Sequence, residues 1–208
     1  MKSRRVGLIF ILIAILLALS AAPMLFDSRR AASGMPTVQA DSELLPDIGL
    51  VPEFSLTDQD GKAWSSKSLA GKIWVADFFL TSCQGACPVM ARNMGGLHDY
   101  FKANERIRFV SISVDPDTDK PEALSGWAKQ YQADTARWSF LTGPIEEIHR
   151  MASEKGFKVG VPDNPMSHSQ RFILVDTKGH IRGYYEGMDE LSVRRCAADI
   201  NELLKEPA

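Results

Sequence analysis

Cysteine is scarce in this sequence, with three in 208 residues. Three cannot build a disulfide scaffold. Two of them, Cys83 and Cys87, sit together while Cys196 lies far off, a distribution that points to chemistry rather than crosslinking. A Walker loop, a GxGxxG turn, an HExxH helix and internal repeats are all missing, so none of the chemistries those motifs carry is expected. Net charge is only -2. There is no basic excess to meet a phosphate backbone, and nucleic acid is not an expected partner. With 45% hydrophobic and 24% charged residues, the composition is that of a globular protein, and the length suits one domain plus extras.

Charge of either sign is absent from Val6 to Phe26. At the helical rise, this run spans about 31 Å, one hydrocarbon core. The competing reading is a cleaved signal peptide with its small-residue site at Ser20-Ala21-Ala22. Pro23 follows directly and disfavours that cleavage, so residues 1–26 are expected to be an uncleaved single-pass anchor. No cysteine lies near enough to be lipidated. Lys2, Arg4 and Arg5 precede the run, and Arg29 and Arg30 follow it. The positive-inside rule thus points, by a narrow margin, to a cytoplasmic N-terminus. The rest would then face a compartment where thiols need active management. Without an Arg- and Ser-rich transit segment, a bacterial inner membrane and its periplasm are favoured over a mitochondrial origin. Residues 27–48 are small, polar and non-periodic, and read as a flexible tether.

From residue 49 the pattern alternates. "FSLTDQDGKAW" predicts a hairpin turning at Asp60-Gly61. "KIWVADFFL" is a continuous apolar run, as expected of a central strand covered on both faces. "PVMARNMGGLHDYFKA" has helical spacing with Pro88 in the first turn. "RIRFVSISVD" is a second strand, "KPEALSGWAKQYQA" a helix, "RWSFLTG" a strand and "PIEEIHRMASEKG" a helix closed by Gly156. "QRFILVDTKGHIRGYYEG" predicts a hairpin turning at Lys178-Gly179, and "DELSVRRCAADINELLK" a final helix. The order predicts an α/β domain over 49–208, a sheet with helices on both sides.

Cys83 is placed at a strand end and Cys87 at a helix start. Positions four apart share a helix face, and the helix N-terminus favours thiolate over thiol. Such a pair at the carboxyl end of a central strand could be two buried thiols, a redox couple or a metal clamp. Two thiolates are soft ligands suited to Cu(I) or zinc, and two sulfurs alone rarely complete a site. Of the four histidines, His98, His149 and His180 read as solvated or core-edge. His168, in a loop with two prolines just before a strong strand, is the candidate third ligand.

"DFFLTSCQGACPVM", "SISVDPDTDKPEAL", "FLTG" and "SHSQRFILVDTKGHIRGYY", in that order over roughly residues 50–205, resemble the Sco/SenC family of copper-binding proteins. The resemblance implies a thioredoxin-like fold with an added N-terminal hairpin. It also implies one copper, Cu(I) or Cu(II), held by Cys83, Cys87 and His168. The implied function is that of a membrane-tethered metallochaperone. It would take copper from a donor protein and pass it to the copper A subunit of cytochrome c oxidase, or to another copper acceptor. Gln84 departs from the family, which often has proline there, and the segment "VPDNPM" before His168 is short. A second reading makes Cys83 and Cys87 the redox-active pair of a thiol–disulfide oxidoreductase that reduces the acceptor's cysteines, with Cys83 as nucleophile. A thiol peroxidase assisted by Thr81 is a third and weaker reading.

Asp77, inside an apolar strand just before the cysteines, is a candidate for tuning the thiols or accepting a proton. Asp115 and Pro116 read as shaping the loop near the metal site or as supporting its ligands from behind. Met90 and Met94 at helical spacing read as core, Met166 as a transient copper contact and Cys196 as a buried free thiol.

Overall fold

The computed structural model describes residues 45–153, 155–159 and 170–206. The strands are β1 (Gly49–Leu50), β2 (Ser55–Asp58), β3 (Ala63–Ser65), β4 (Ile73–Phe79), β5 (Ile107–Ser113), β6 (Trp138–Thr142), β7 (Arg171–Val175) and β8 (His180–Glu186). The helices are α1 (Ala86–Tyr100), α2 (Pro121–Gln130), α3 (Ile145–Ala152) and α4 (Glu190–Leu203). Among the described residues, no helix is long and apolar enough to cross a membrane. The expected anchor lies outside them.

All strands join one sheet in the order β1-β8-β7-β4-β5-β6-β2-β3. β4, β5 and β6 run parallel; β7 is antiparallel to β4 and β8 to β7. All seven residues of β4 are buried, as a strand with helices on both faces requires. Trp74, Ala76 and Phe78 point to one face, where Ile148 and Met151 of α3 and the ring of Phe157 pack on them. The alternate residues point to the other face. There Phe79 meets Trp127 of α2, and His98 of α1 lies against Phe109 and Trp138.

The expected hairpins form. Asp58 accepts from the Asp60 and Lys62 N–H groups, and Gly61 takes the positive φ that closes the turn. Asp176 and Gly179 do the same between β7 and β8; both are Asx-type turns finished by glycine. The N-terminal hairpin is not an appendage, because β2 pairs with β6 and extends the main sheet. α3 ends at Ala152, short of Gly156; the Phe157 N–H returns to the Met151 carbonyl at 2.6 Å. Residues 45–48, expected to close the tether, are bound to β8. Arg182 donates to the carbonyls of Leu45 and Pro46, and the Ile48 N–H donates to the Ile181 carbonyl.

Candidate functional site

β4 ends at Phe79, and Cys83 lies in the loop beyond it rather than at the strand end. The loop turns back on itself, with the Cys83 N–H donating to the Leu80 carbonyl at 3.3 Å. α1 then begins without a side-chain cap: Gly85 holds the capping position, and Pro88 has no N–H to offer. Sulfur fills the role. The Cys87 N–H donates to the Cys83 Sγ at 3.5 Å, where a serine or aspartate oxygen would ordinarily accept.

The two thiols are unequal. Partial burial opposes ionisation of Cys83. The N–H groups of Cys87, Gly85 and Ala86 and the Cys87 thiol outweigh it and hold the Cys83 thiol below its ordinary value. Cys87 is 1% exposed. Burial is the main reason its thiol is pushed up to about 12, and the charges of Cys83 and Asp77 add to the rise. Cys83 is therefore the more exposed and more readily ionised of the two thiols.

Asp77 lies on the α1 face of the sheet, 3% exposed. Burial pushes its carboxyl up to about 7, against a hydrogen bond from Ser111, and one carboxylate oxygen has no hydrogen-bond partner. Its charge adds to the rise of the Cys87 thiol, a contact of the kind the tuning reading requires. The loop-shaping reading of Asp115 agrees with its carbonyl, which accepts from the Thr118 and Asp119 N–H groups. Thr81 is not free to assist a peroxide, because its hydroxyl donates to Asp119. Asp119, buried behind the loop, was not singled out by the sequence; its only signal is the third aspartate of "DPDTD".

Met90 and Met94 are buried in the core, and Cys196 is a fully buried thiol whose ionisation burial suppresses. His149 is exposed, and His180 pairs with Asp47 at 2.8 Å. His98, read as solvated or core-edge, is buried against the rings of Phe109 and Trp138, its Nε2 without a partner. His168 and Met166 lie outside the described residues. Among the described residues, no three His, Cys, Asp or Glu side chains are grouped to hold a metal. The donors present, two sulfurs at a helix N-terminus, suit a soft cation.

Gln170, two positions after His168, is described, and its carbonyl accepts from the Gly187 N–H at 2.7 Å. The Gly187 carbonyl in turn accepts from the Asn93 side chain of α1 at 2.7 Å. A Cβ on Gly187 would come within 3.2 Å of the Met90 methyl, and Met90 is one helical turn after Cys87. Gln170 is thus fastened beside the cysteine helix.

A family model described as SCO1/SenC matches residues 45–205. The chain belongs to the SCO1/SenC family. The structure of a SCO1/SenC family lipoprotein from Bacillus anthracis str. Ames is 37% identical, with a TM-score of 0.67 over 74% of this chain and 95% of that one. The structure of BsSco is described as that of a member of the Sco family of cytochrome c oxidase assembly proteins in which a disulfide switch was identified. It is 36% identical, with a TM-score of 0.66 over 74% of this chain and 92% of that one. A protein of Stutzerimonas stutzeri provisionally named as copper-binding is 30% identical over 154 residues, 70% of this chain and 74% of its own length. The fold is the mixed α/β, thioredoxin-like fold of the SCO1/SenC structures.

Proposed function

We propose that this SCO1/SenC protein carries one copper ion as cargo between Cys83, Cys87 and His168 and passes it to the copper A subunit of cytochrome c oxidase. The observation that carries the reading is the cysteine pair itself. One sulfur, Cys83, is partly exposed and lies where the first N–H groups of α1 offset its charge, and the other, Cys87, is buried beside it. The fastening of Gln170 beside α1 supports His168 as third ligand, since two residues reach at most about 7 Å. The copper-binding name of the S. stutzeri relative supports copper as the cargo, and the oxidase-assembly description of BsSco supports an acceptor within cytochrome c oxidase, with the copper A subunit implied by the family resemblance. Residues 6–26 would hold the chain in a bacterial inner membrane with residues 27–44 as leash. A titration of the full chain in detergent against a Cu(I) chelator tests the reading. One equivalent of tight binding is expected, lost in Cys83→Ser and Cys87→Ser and weakened in His168→Ala. One equivalent still bound tightly by the double cysteine variant would refute it.

The inequality of the thiols favours a second reading on the same site. The Cys83 thiolate would attack an acceptor disulfide, forming a mixed disulfide and releasing one acceptor thiolate. Cys87, on losing its proton, would attack the Cys83 sulfur and release the second. The acceptor gains two electrons and the pair ends as a Cys83–Cys87 disulfide. This activity needs no imidazole, so it should survive His168→Ala, whereas copper retention should not.

A further inference from the structure

Behind the cysteine loop lies a carboxylate with a demanding set of partners. Asp119 is 0% exposed. One of its oxygens accepts from the Ser113 hydroxyl at 2.5 Å and the Thr81 N–H at 3.1 Å. The other accepts from the Thr81 hydroxyl. The three donors come from the end of β5 and the start of the cysteine loop, and none is a cation. The Ser113 oxygen in turn accepts from the Asp115 N–H at 3.0 Å, and the Val114 N–H closes onto the Phe79 carbonyl at 2.9 Å. Asp119 therefore sits where the ends of two central strands meet, and it reaches out of that junction to one loop residue, Thr81.

That contact matters because it is the loop's link to a buried side chain behind it. Ser82 and Gln84 are exposed, and a side chain at Gly85 would meet nothing within 4 Å. Between Thr81 and the first turn of α1, the conformation rests on the Cys83 N–H to Leu80 carbonyl turn and on backbone N–H groups around the two sulfurs, with, among the described residues, no side-chain contact besides. We infer that Asp119 is a positioning residue: by gripping the amide and the hydroxyl of Thr81, it sets the Cys83 sulfur at the mouth of α1, opposite Cys87. A buried carboxylate is costly unless its lone pairs are filled. Here they are filled from the loop, so the same bonds that satisfy Asp119 fix the loop.

The inference rests on the copper reading for its readout, and the experiment separates the two. Cu(I) affinity is measured by chelator competition on the full chain for wild type, Asp119→Asn, Thr81→Val and Thr81→Ser, with urea midpoints alongside. Removing an outer partner of a metal ligand weakens binding about tenfold or more. That loss is expected for Asp119→Asn and Thr81→Val, with Thr81→Val still unfolding cooperatively at a lower midpoint because one Asp119 oxygen loses its hydroxyl donor. Thr81→Ser keeps the hydroxyl and should stay within about twofold of wild type. Unchanged affinity in Thr81→Val would overturn the inference, even if Asp119→Asn failed to fold, since Asp119 would then serve the fold alone. An equal loss in Thr81→Ser would also overturn it. Absence of copper binding by the wild type would instead sink the function reading.

Discussion

The Cys87 N–H donates to the Cys83 sulfur across 3.5 Å, at the start of a helix that has no other side-chain cap. A candidate ligand is also a structural cap, which separates two substitutions usually treated as equivalent. Cys83→Ser keeps an acceptor for that N–H, and Cys83→Ala removes it. Losing an N-cap costs about 1 kcal/mol. Urea unfolding of the reduced, metal-free chain should place Cys83→Ala below Cys83→Ser by that amount. Equal midpoints would show that the sulfur contributes nothing to the helix.

Reactivity should divide in the same way. Cys83 is partly exposed with its thiol held low, Cys87 is buried with its thiol pushed up to about 12, and Cys196 is buried in the core. Brief iodoacetamide treatment near neutral pH, followed by peptide mass spectrometry, should label Cys83 first. Cys87 and Cys196 should trail by at least about tenfold. Preferential labelling of Cys87 would reverse the assignment of nucleophile and resolving thiol.

What was legible depended on how local the cause was. β4 announced itself because seven buried positions in a row leave an apolar run, and the two hairpins did so through Asp60-Gly61 and Lys178-Gly179. β1 did not, since Gly49 and Leu50 are a strand only because the edge of β8 receives them. The pairing of β2 with β6 is equally non-local. The spacing of Cys83 and Cys87 treats them as equals, and only the packing over Cys87 separates them. The burial of His98 was present in the pattern, because Met90, Met94 and His98 repeat every fourth position on one face of α1. Its residue type concealed it. Asp119 reaches Thr81 across 38 positions, a distance no motif spans.

Asp77 gives a pH signature. Its carboxyl is raised from 3.8 to about 7 by burial. The folded protein therefore keeps a proton that the unfolded chain releases above about pH 4. The stability this contributes is fully present below about pH 4 and is lost as the pH rises through about 7. Asp77→Asn has no such proton to lose. Measured in the reduced, metal-free state, the variant should gain on wild type steadily from about pH 4 to 7, by at most about 4 kcal/mol. A wild type that gains on the variant over that window would show an ionised, well-partnered carboxylate instead.

Gly187 joins the fold to the proposed histidine ligand. A Cβ there would lie 3.0 Å from the Phe172 ring, 3.1 Å from the Gln170 carbonyl oxygen and 3.2 Å from the Met90 methyl. Gly187→Ala must push one of them aside. Overpacking of this kind costs about 1–3 kcal/mol. Because Gln170 is fastened to Gly187 and lies two residues from His168, copper affinity should fall about tenfold, the scale of a disturbed ligand support. The alkylation rate of Cys83 should not change. The decisive comparison is a double-mutant cycle. If the effect runs through the imidazole, Gly187→Ala should weaken Cu(I) binding in the wild type but add little to His168→Ala, since coupled changes are not additive. An equal loss in both backgrounds would mean that Gly187 acts on the thiols through Met90 and α1, and that the fastening of Gln170 has no part in holding the metal.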